Sequence, residues 1–336
     1  MSTVDPAPPR GVSRRDVLTL GVGAFVVSTI PLAARRPAAV VRRTVPVMGT
    51  IAEFAVVHAD PRTAHAAIDA GIEELRTTNR LMTRFSEVSD VGRANRVAAV
   101  RPAVVTAGTA TVIREALAWA EASGGAFDPC LGRAIRLWDV AHRRTPPPPS
   151  AVARLAGRGL YRAVEVDTWK GLPAVRFTAA DVEIDLGGIA KGYGVDRAVD
   201  ALRRHGIRQA IVNVGGDLYA LGESERGAPW RIGIRSPADQ QQLAGELLLS
   251  DGAVATSGDY LQYFVYGGRR YHHLLDPETG APRATPVHSL SVMAPTCLAA
   301  DAAATAAYGM APERAQRLLA RRARGARIVS ILTGKA

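Results

Sequence analysis

Cysteine and lysine are both scarce in this chain. Two cysteines, Cys130 and Cys297, occur in 336 residues, and neither belongs to a Cys-x-x-Cys pair or a Cys/His cluster. That excludes a disulfide framework and argues against a structural zinc site, so both read as small buried residues. No cysteine lies in the N-terminal apolar stretch, so the sequence offers no attachment point for a lipoprotein lipid. Three lysines (Lys170, Lys191, Lys335) stand against 39 arginines. A chain so biased to Arg that keeps Lys beside a glycine pair, as at position 191, points to a need for a compact ammonium there. Internal repeats and long low-complexity runs are absent as well.

What is present begins with charge. The net charge is +11, but it sits at the two ends. Residues 1–43 hold seven Arg and two Asp, and residues 311–336 hold six Arg, one Lys and one Glu. Residues 44–310 balance, with 28 Lys or Arg against 28 Asp or Glu. A neutral body with basic ends argues against a nucleic-acid groove, and the basic C-terminal run reads as a solvated helix face.

The N-terminal segment, residues 1–40, places Arg14 and Arg15 before a modestly apolar, Gly-containing stretch over residues 17–34. This resembles a twin-arginine export signal, which would put the protein on the extracytoplasmic side of the membrane. The same stretch would also serve as a membrane anchor, because Leu32-Ala33-Ala34 is a poor cleavage site. At 336 residues the chain could hold one large domain or two ordinary ones. Helical periodicity is expected over residues 61–82, 108–122 and 296–310. Strands are expected around "RRTVPVMGTIAEFAVV", at 210–214, in "WRIGIRSP" and in "SLSVMAP", with a hairpin turning at Gly267-Gly268. The prolines at 146–149 mark an exposed linker or insertion point. Strands and helices mix without strict alternation, so the fold class expected is α+β, largely antiparallel.

The most informative stretch is "EIDLGGIAKGYGVD", residues 183–196. Ile184 and Leu186 alternate like a strand, Gly187 and Gly188 break it, and a helix follows from Ile189. It fits two readings: an anion site at a helix N-terminus, with Lys191 as counter-charge, or a tight turn with Lys191 in water. Lys191 also stands where the helix dipole favours an acid. Asp301 and Thr305 lie four apart on an otherwise apolar helix, with no cation nearby in sequence. A buried carboxylate there needs either the helix dipole or a metal, and oxygen donors of this kind suit Mg²⁺. His273 ends a strand just before an Asp-Pro turn, a common place to build a site.

In order along the chain, "PVMGT", "GGAFDP", "DLGGIAKGYGVD", "NVGGD", "ATSGDY", "HHLLDPETGAP" and "SVMAPTCLAADAAATA" together resemble the ApbE family, the bacterial FAD:protein FMN transferases. The resemblance spans about residues 44–333. It implies an enzyme that cleaves FAD, moves FMN onto a Ser or Thr of an acceptor protein, and releases AMP. It further implies flavin contacts at Met48, Ala126, Phe127 and Asp128, with Asp185 near the cofactor and Lys191 at the pyrophosphate. Mg²⁺ would be held by Asp301, Thr305 and the Gly188 carbonyl. His273 would be the general base, working through an ordinary His pKa of about 6.5. Phe85 stands where the family often has Tyr, which keeps stacking and loses a hydroxyl. Two other activities fit the same residues: an FAD pyrophosphatase, and an exported flavin-binding protein without catalysis.

Overall fold

The computed structural model describes residues 25–28, 39–224, 227–239 and 241–334. In chain order the elements begin β1 (Phe25–Ser28), β2 (Ala39–Val47), β3 (Thr50–His58), α1 (Pro61–Met82), α2 (Asp90–Val97), β4 (Ala103–Val104), α3 (Ala107–Ser123), α4 (Gly132–Trp138) and α5 (Pro149–Ala153). The middle of the chain supplies β5 (Val164–Trp169), β6 (Leu172–Phe177), α6 (Ala190–Arg204), β7 (Ala210–Val214), β8 (Asp217–Leu221), β9 (Trp230–Arg235) and β10 (Leu243–Leu249). The rest is β11 (Gly252–Gly258), β12 (Tyr263–Tyr266), β13 (Arg269–His272), β14 (Val287–Ala294), α7 (Cys297–Ala307), α8 (Pro312–Arg322) and β15 (Arg327–Thr333).

Seven strands form the main sheet in the order β15-β14-β11-β8-β7-β3-β2, and every neighbouring pair is antiparallel. The smaller sheets, β1-β9-β10, β4-β6-β5 and β12-β13, are antiparallel too. Tight hairpins explain much of this, since antiparallel neighbours need only a short turn. The α+β, antiparallel expectation is borne out.

The central strands β7, β8 and β11 are buried along their whole length. A helical layer packs on the sheet through Phe54, Ile68, Leu75, Val195, Val199 and Ala304. A second core joins the sheet to β9 and β10 through Ala55, Ile211, Leu218, Trp230, Ile232 and Val254. A third, smaller core seats α4 and α5 on the β12–β13 hairpin, with Tyr271 stacked between Trp138 and Phe264 at centroid distances of 5.7 and 5.2 Å.

Helices α6 and α7 cross in near contact, and that crossing fixes the site. A Cβ at Gly192 would fall 2.3 Å from the Cys297 carbonyl oxygen, so only glycine fits. One turn later Asp196 accepts from the Cys297 and Leu298 N–H groups at 2.8 and 2.9 Å. One helix thus caps the other.

Three sequence expectations need correction or placement. Residues 183–186 are extended but join no ladder. Asn95 instead holds both polar groups of Ile184, at 2.7 and 2.9 Å, and Asp185 N–H donates to the Pro129 carbonyl at 2.7 Å. The proline run is not simply a linker, because Pro147 is buried and Pro149 opens α5, where a missing N–H is tolerated. Of the N-terminal apolar stretch, residues 25–28 form β1 against β9, while Arg14 and Arg15 lie outside the described residues. No helix of the described residues is long and apolar enough to cross a membrane.

Candidate active site

The site gathers around the first turn of α6. Lys191 ion-pairs with Asp217, the first residue of β8, and its Nζ lies 3.8 Å from Asp301 Oδ1. Asp301 also accepts from the Gly192 N–H at 3.0 Å. Asp301 therefore does have a cationic partner, brought by another element rather than by neighbouring sequence. The same pairing explains how Lys191 stands in a helix first turn: two carboxylates offset the unfavourable dipole.

Two buried carboxylates share one ammonium, which leaves an excess negative charge. Burial pushes the Asp217 carboxyl upward, Asp301 adds repulsion, and Lys191 opposes both. Burial likewise raises Asp301, against Lys191 and the Gly192 N–H. Burial alone would lower Lys191, but Asp217 and then Asp301 hold it above its ordinary value. The upward shifts relieve that charge by protonation, and a bound cation would relieve it in the same way.

Gly188 closes the other side. A Cβ there would lie 3.2 Å from Thr305 Oγ1 and 3.2 Å from the Phe127 ring, so the Gly188 backbone, Thr305 and Phe127 are neighbours. Thr305 is one turn beyond Asp301 on α7. Carboxylate, hydroxyl and carbonyl are all hard oxygen donors and fit Mg²⁺, which takes one or two carboxylates and completes its shell with phosphate and water. Among the described residues no group of three or more His, Cys, Asp or Glu is placed to hold a metal ion.

Of the remaining predicted residues, Met48 lies against α6 and Phe127 against the Gly188 turn. Met48 occupies the β2–β3 turn with φ 53°, next to Gly49 at φ 70°, and a Cβ on Gly194 of α6 would lie 3.2 Å from its sulfur. The left-handed φ holds a bulky thioether over α6 at a cost of about 1–2 kcal/mol. Ala126 is fixed by Arg283, which donates 2.8 Å to its carbonyl and also bonds the Tyr308 carbonyl at the end of α7. Phe127 N–H donates to buried Ser123 Oγ at 3.0 Å. Asp128 accepts from Cys130 N–H at 2.8 Å, and burial pushes its carboxyl up to about 6. Asp185 accepts from Gly187 N–H at 2.7 Å and pairs with Arg84 Nε at 2.5 Å. Phe85 is 83 % exposed, with the Arg84 guanidinium 4.3 Å above its ring. It is a free aromatic face rather than part of the core.

His273 is half-buried, and its Nδ1 lies 3.3 Å from the Gln262 carbonyl. Desolvation, helped by His272 and Lys191, lowers its pKa to about 4. That lies well below the ordinary value of about 6.5.

Sequence reasoning missed Asp217, Arg84 and Arg283 as partners. Asp217 closes "NVGGD", a motif that reads as a turn. The signal was an acid opening a strand that is apolar after it. Cys130 and Cys297 are free and buried, as expected.

The ApbE family model matches residues 48–329. The chain belongs to the ApbE family. It is 33% identical over 287 residues to an FAD:protein FMN transferase of Treponema pallidum, covering 81% of this chain and 79% of that protein. An FAD:protein FMN transferase of Vibrio cholerae is also 33% identical, with 83% and 84% covered. Among solved structures, the ApbE protein of Thermotoga maritima aligns with a TM-score of 0.77 at 31% identity, covering 88% of this chain and 97% of that one. The flavin transferase ApbE of Vibrio cholerae aligns at 0.75 and 29%, covering 89% and 95%. Family membership makes the chain an enzyme, and both structural relatives support the ApbE fold.

Proposed function

We propose that this ApbE-family enzyme transfers FMN from FAD to a Ser or Thr hydroxyl of an acceptor protein and releases AMP. The observation that carries the reading is the buried Lys191–Asp217–Asp301 cluster, whose excess negative charge faces oxygen donors at Gly188 and Thr305. Asp301, Thr305 and the Gly188 carbonyl would hold Mg²⁺, which when bound neutralises charge on the pyrophosphate and its leaving group. Lys191 adds a positive charge on the same side. Met48, Phe85, Ala126, Phe127, Asp128 and Asp185 would border the flavin half.

In the reaction the acceptor oxygen attacks the phosphorus of the FMN half of FAD. The bond from that phosphorus to the bridging oxygen breaks, and AMP leaves with the bridging oxygen. The hydroxyl proton passes to His273, which its lowered pKa keeps neutral at pH 7. Positioning and charge neutralisation supply most of the rate in such transfers.

Mass spectrometry of candidate acceptor peptides, after incubation with FAD, Mg²⁺ and the enzyme, tests the proposal. The expected product is a Ser or Thr carrying one FMN unit, with one AMP released. AMP and free FMN with every acceptor would favour the pyrophosphatase, and unchanged FAD would favour a binding protein.

The catalytic unit proposed is residues 41–336, with residues 1–40 as a twin-arginine signal or anchor delivering it to the outer face of the cytoplasmic membrane. Replacing both Arg14 and Arg15 with Lys should retain the protein in the cytoplasm. Continued appearance outside would point to another route.

A further inference from the structure

The lobe built from α4 and α5 carries charge that the reaction chemistry does not use. Residues 131–158 contain six arginines and one aspartate, whereas the rest of residues 44–310 holds 22 Lys or Arg against 27 Asp or Glu. Four of these arginines, Arg133, Arg136, Arg143 and Arg154, line one surface cleft of about 420 Å³, floored by Leu137 and Leu155. Arg133 pairs with Asp181 at 2.8 Å and Arg136 with Glu183 at 2.7 Å. Among the described residues no carboxylate pairs with Arg143 or Arg154, and both are exposed. Unpaired guanidinium groups gathered around a concavity repel one another unless an anion joins them.

The cleft is tied to the active site from two directions. Glu183, held by Arg136, is also 3.4 Å from Arg84, which pairs with Asp185. On the other side, Trp138 Nε1–H donates to the Gly280 carbonyl at 2.7 Å, and Gly157 N–H donates to the Pro277 carbonyl at 2.9 Å. Both anchor the lobe to the loop that follows His273. The lobe that carries the cleft is thereby joined to the segment holding Asp185 and to the loop that follows His273.

We infer that this arginine-lined cleft docks an acidic segment of the acceptor protein. The inference rests on the reading of the enzyme as a protein flavinylating transferase, because that activity requires a polypeptide to approach His273. A concave, fork-shaped donor set suits carboxylates on a flexible chain, each taken bidentately by a guanidinium. The apolar floor of Leu137 and Leu155 adds contact for the stem of the bound segment.

The test uses the full-length protein, a fluorescein-labelled peptide of alternating Glu and Ser, and a control peptide of alternating Gln and Ser. Anisotropy should show binding of the Glu peptide that weakens as salt rises, and little binding of the Gln peptide. The double variant Arg143→Glu/Arg154→Glu should lose about tenfold or more in affinity for the Glu peptide. Its melting temperature and its affinity for FAD should stay at wild-type values, since neither arginine holds a structural partner or borders the flavin side. Equal binding of both peptides, or unchanged binding by the variant, would overturn the inference. So would binding to phosphatidylglycerol vesicles that the same variant abolishes while the Glu peptide goes unbound. The peptide readout needs no turnover, so failure of FMN transfer in the wild-type enzyme would be seen separately.

Discussion

Two acids, half-buried Asp196 and buried Asp301, sit at the same helix crossing and do different things. Asp196 and Asp301 belong to α6 and α7, and each reaches across to the backbone of the other helix. Both are desolvated, and burial pushes Asp196 up to about 6. Asp196 spends one oxygen on the Cys297 N–H and the other on the Leu298 N–H, so its acceptor capacity is committed to capping. Asp301 accepts one N–H and keeps its second oxygen 3.8 Å from Lys191, with Asp217 competing for the same ammonium. Burial alone does not mark a functional carboxylate. Uncommitted lone pairs beside an excess of like charge do.

The sharpest way to break this contrast is to remove the two acids in turn. Asp301→Ala should leave melting nearly unchanged and lower FMN transfer by roughly 10³-fold or more, as expected when several kcal/mol of charge stabilisation are lost. Near wild-type transfer with the same Mg²⁺ dependence would remove Asp301 from the metal site.

A comparable but smaller loss is expected at the base. His273→Ala should reduce transfer by roughly 10²–10⁴-fold with FAD affinity nearly unchanged. Because the free-enzyme pKa of His273 is lowered to about 4, its contribution to kcat/KM should rise with pH through about 4, and any rise near 7 that survives in His273→Ala belongs to the Asp217 carboxyl. A midpoint near the unperturbed value of about 6.5 would mean that the desolvated environment of His273 is wrong. Equal losses in binding and turnover would make it a flavin contact.

The smallest effect belongs to the structural acid. Asp196→Ala should cost about 1–2 kcal/mol of stability at pH 7, measured by denaturant unfolding, while turnover per folded molecule persists. The sign with pH is distinctive. A folded pKa raised to about 6 means stability is fully present below the ordinary value and is lost as pH rises through 6. The cost of the substitution should therefore be larger at pH 4 than at pH 7. A constant cost would show that Asp196 titrates normally in the folded protein.

What the sequence revealed follows the same division. Helix α1 begins and ends at Pro61 and Met82, where periodicity placed it, and β7 matches its apolar run. These are local properties, set by spacing and capping. Residues 183–186 were misread as a strand because alternation reports burial of alternate side chains, and Asn95 supplies the hydrogen bonds that a ladder would have given. Lys191 and Asp301 were singled out from residue type and pattern, but their meeting with Asp217 is tertiary. It depends on the close crossing that Gly192 permits and on the turn that starts β8. The exposure of Phe85 and the pairing of Arg84 with Asp185 were equally invisible, since nothing in a single chain records which loop side chains face each other.

The central claim is that the FMN phosphorus is attacked by a protein hydroxyl. Turnover in ¹⁸O-labelled water with a Ser- or Thr-containing acceptor tests it most directly. Transfer makes and breaks bonds without solvent oxygen, so the account predicts unlabelled AMP and an unlabelled FMN unit on the acceptor. Labelled free FMN, with the acceptor unmodified, would contradict it.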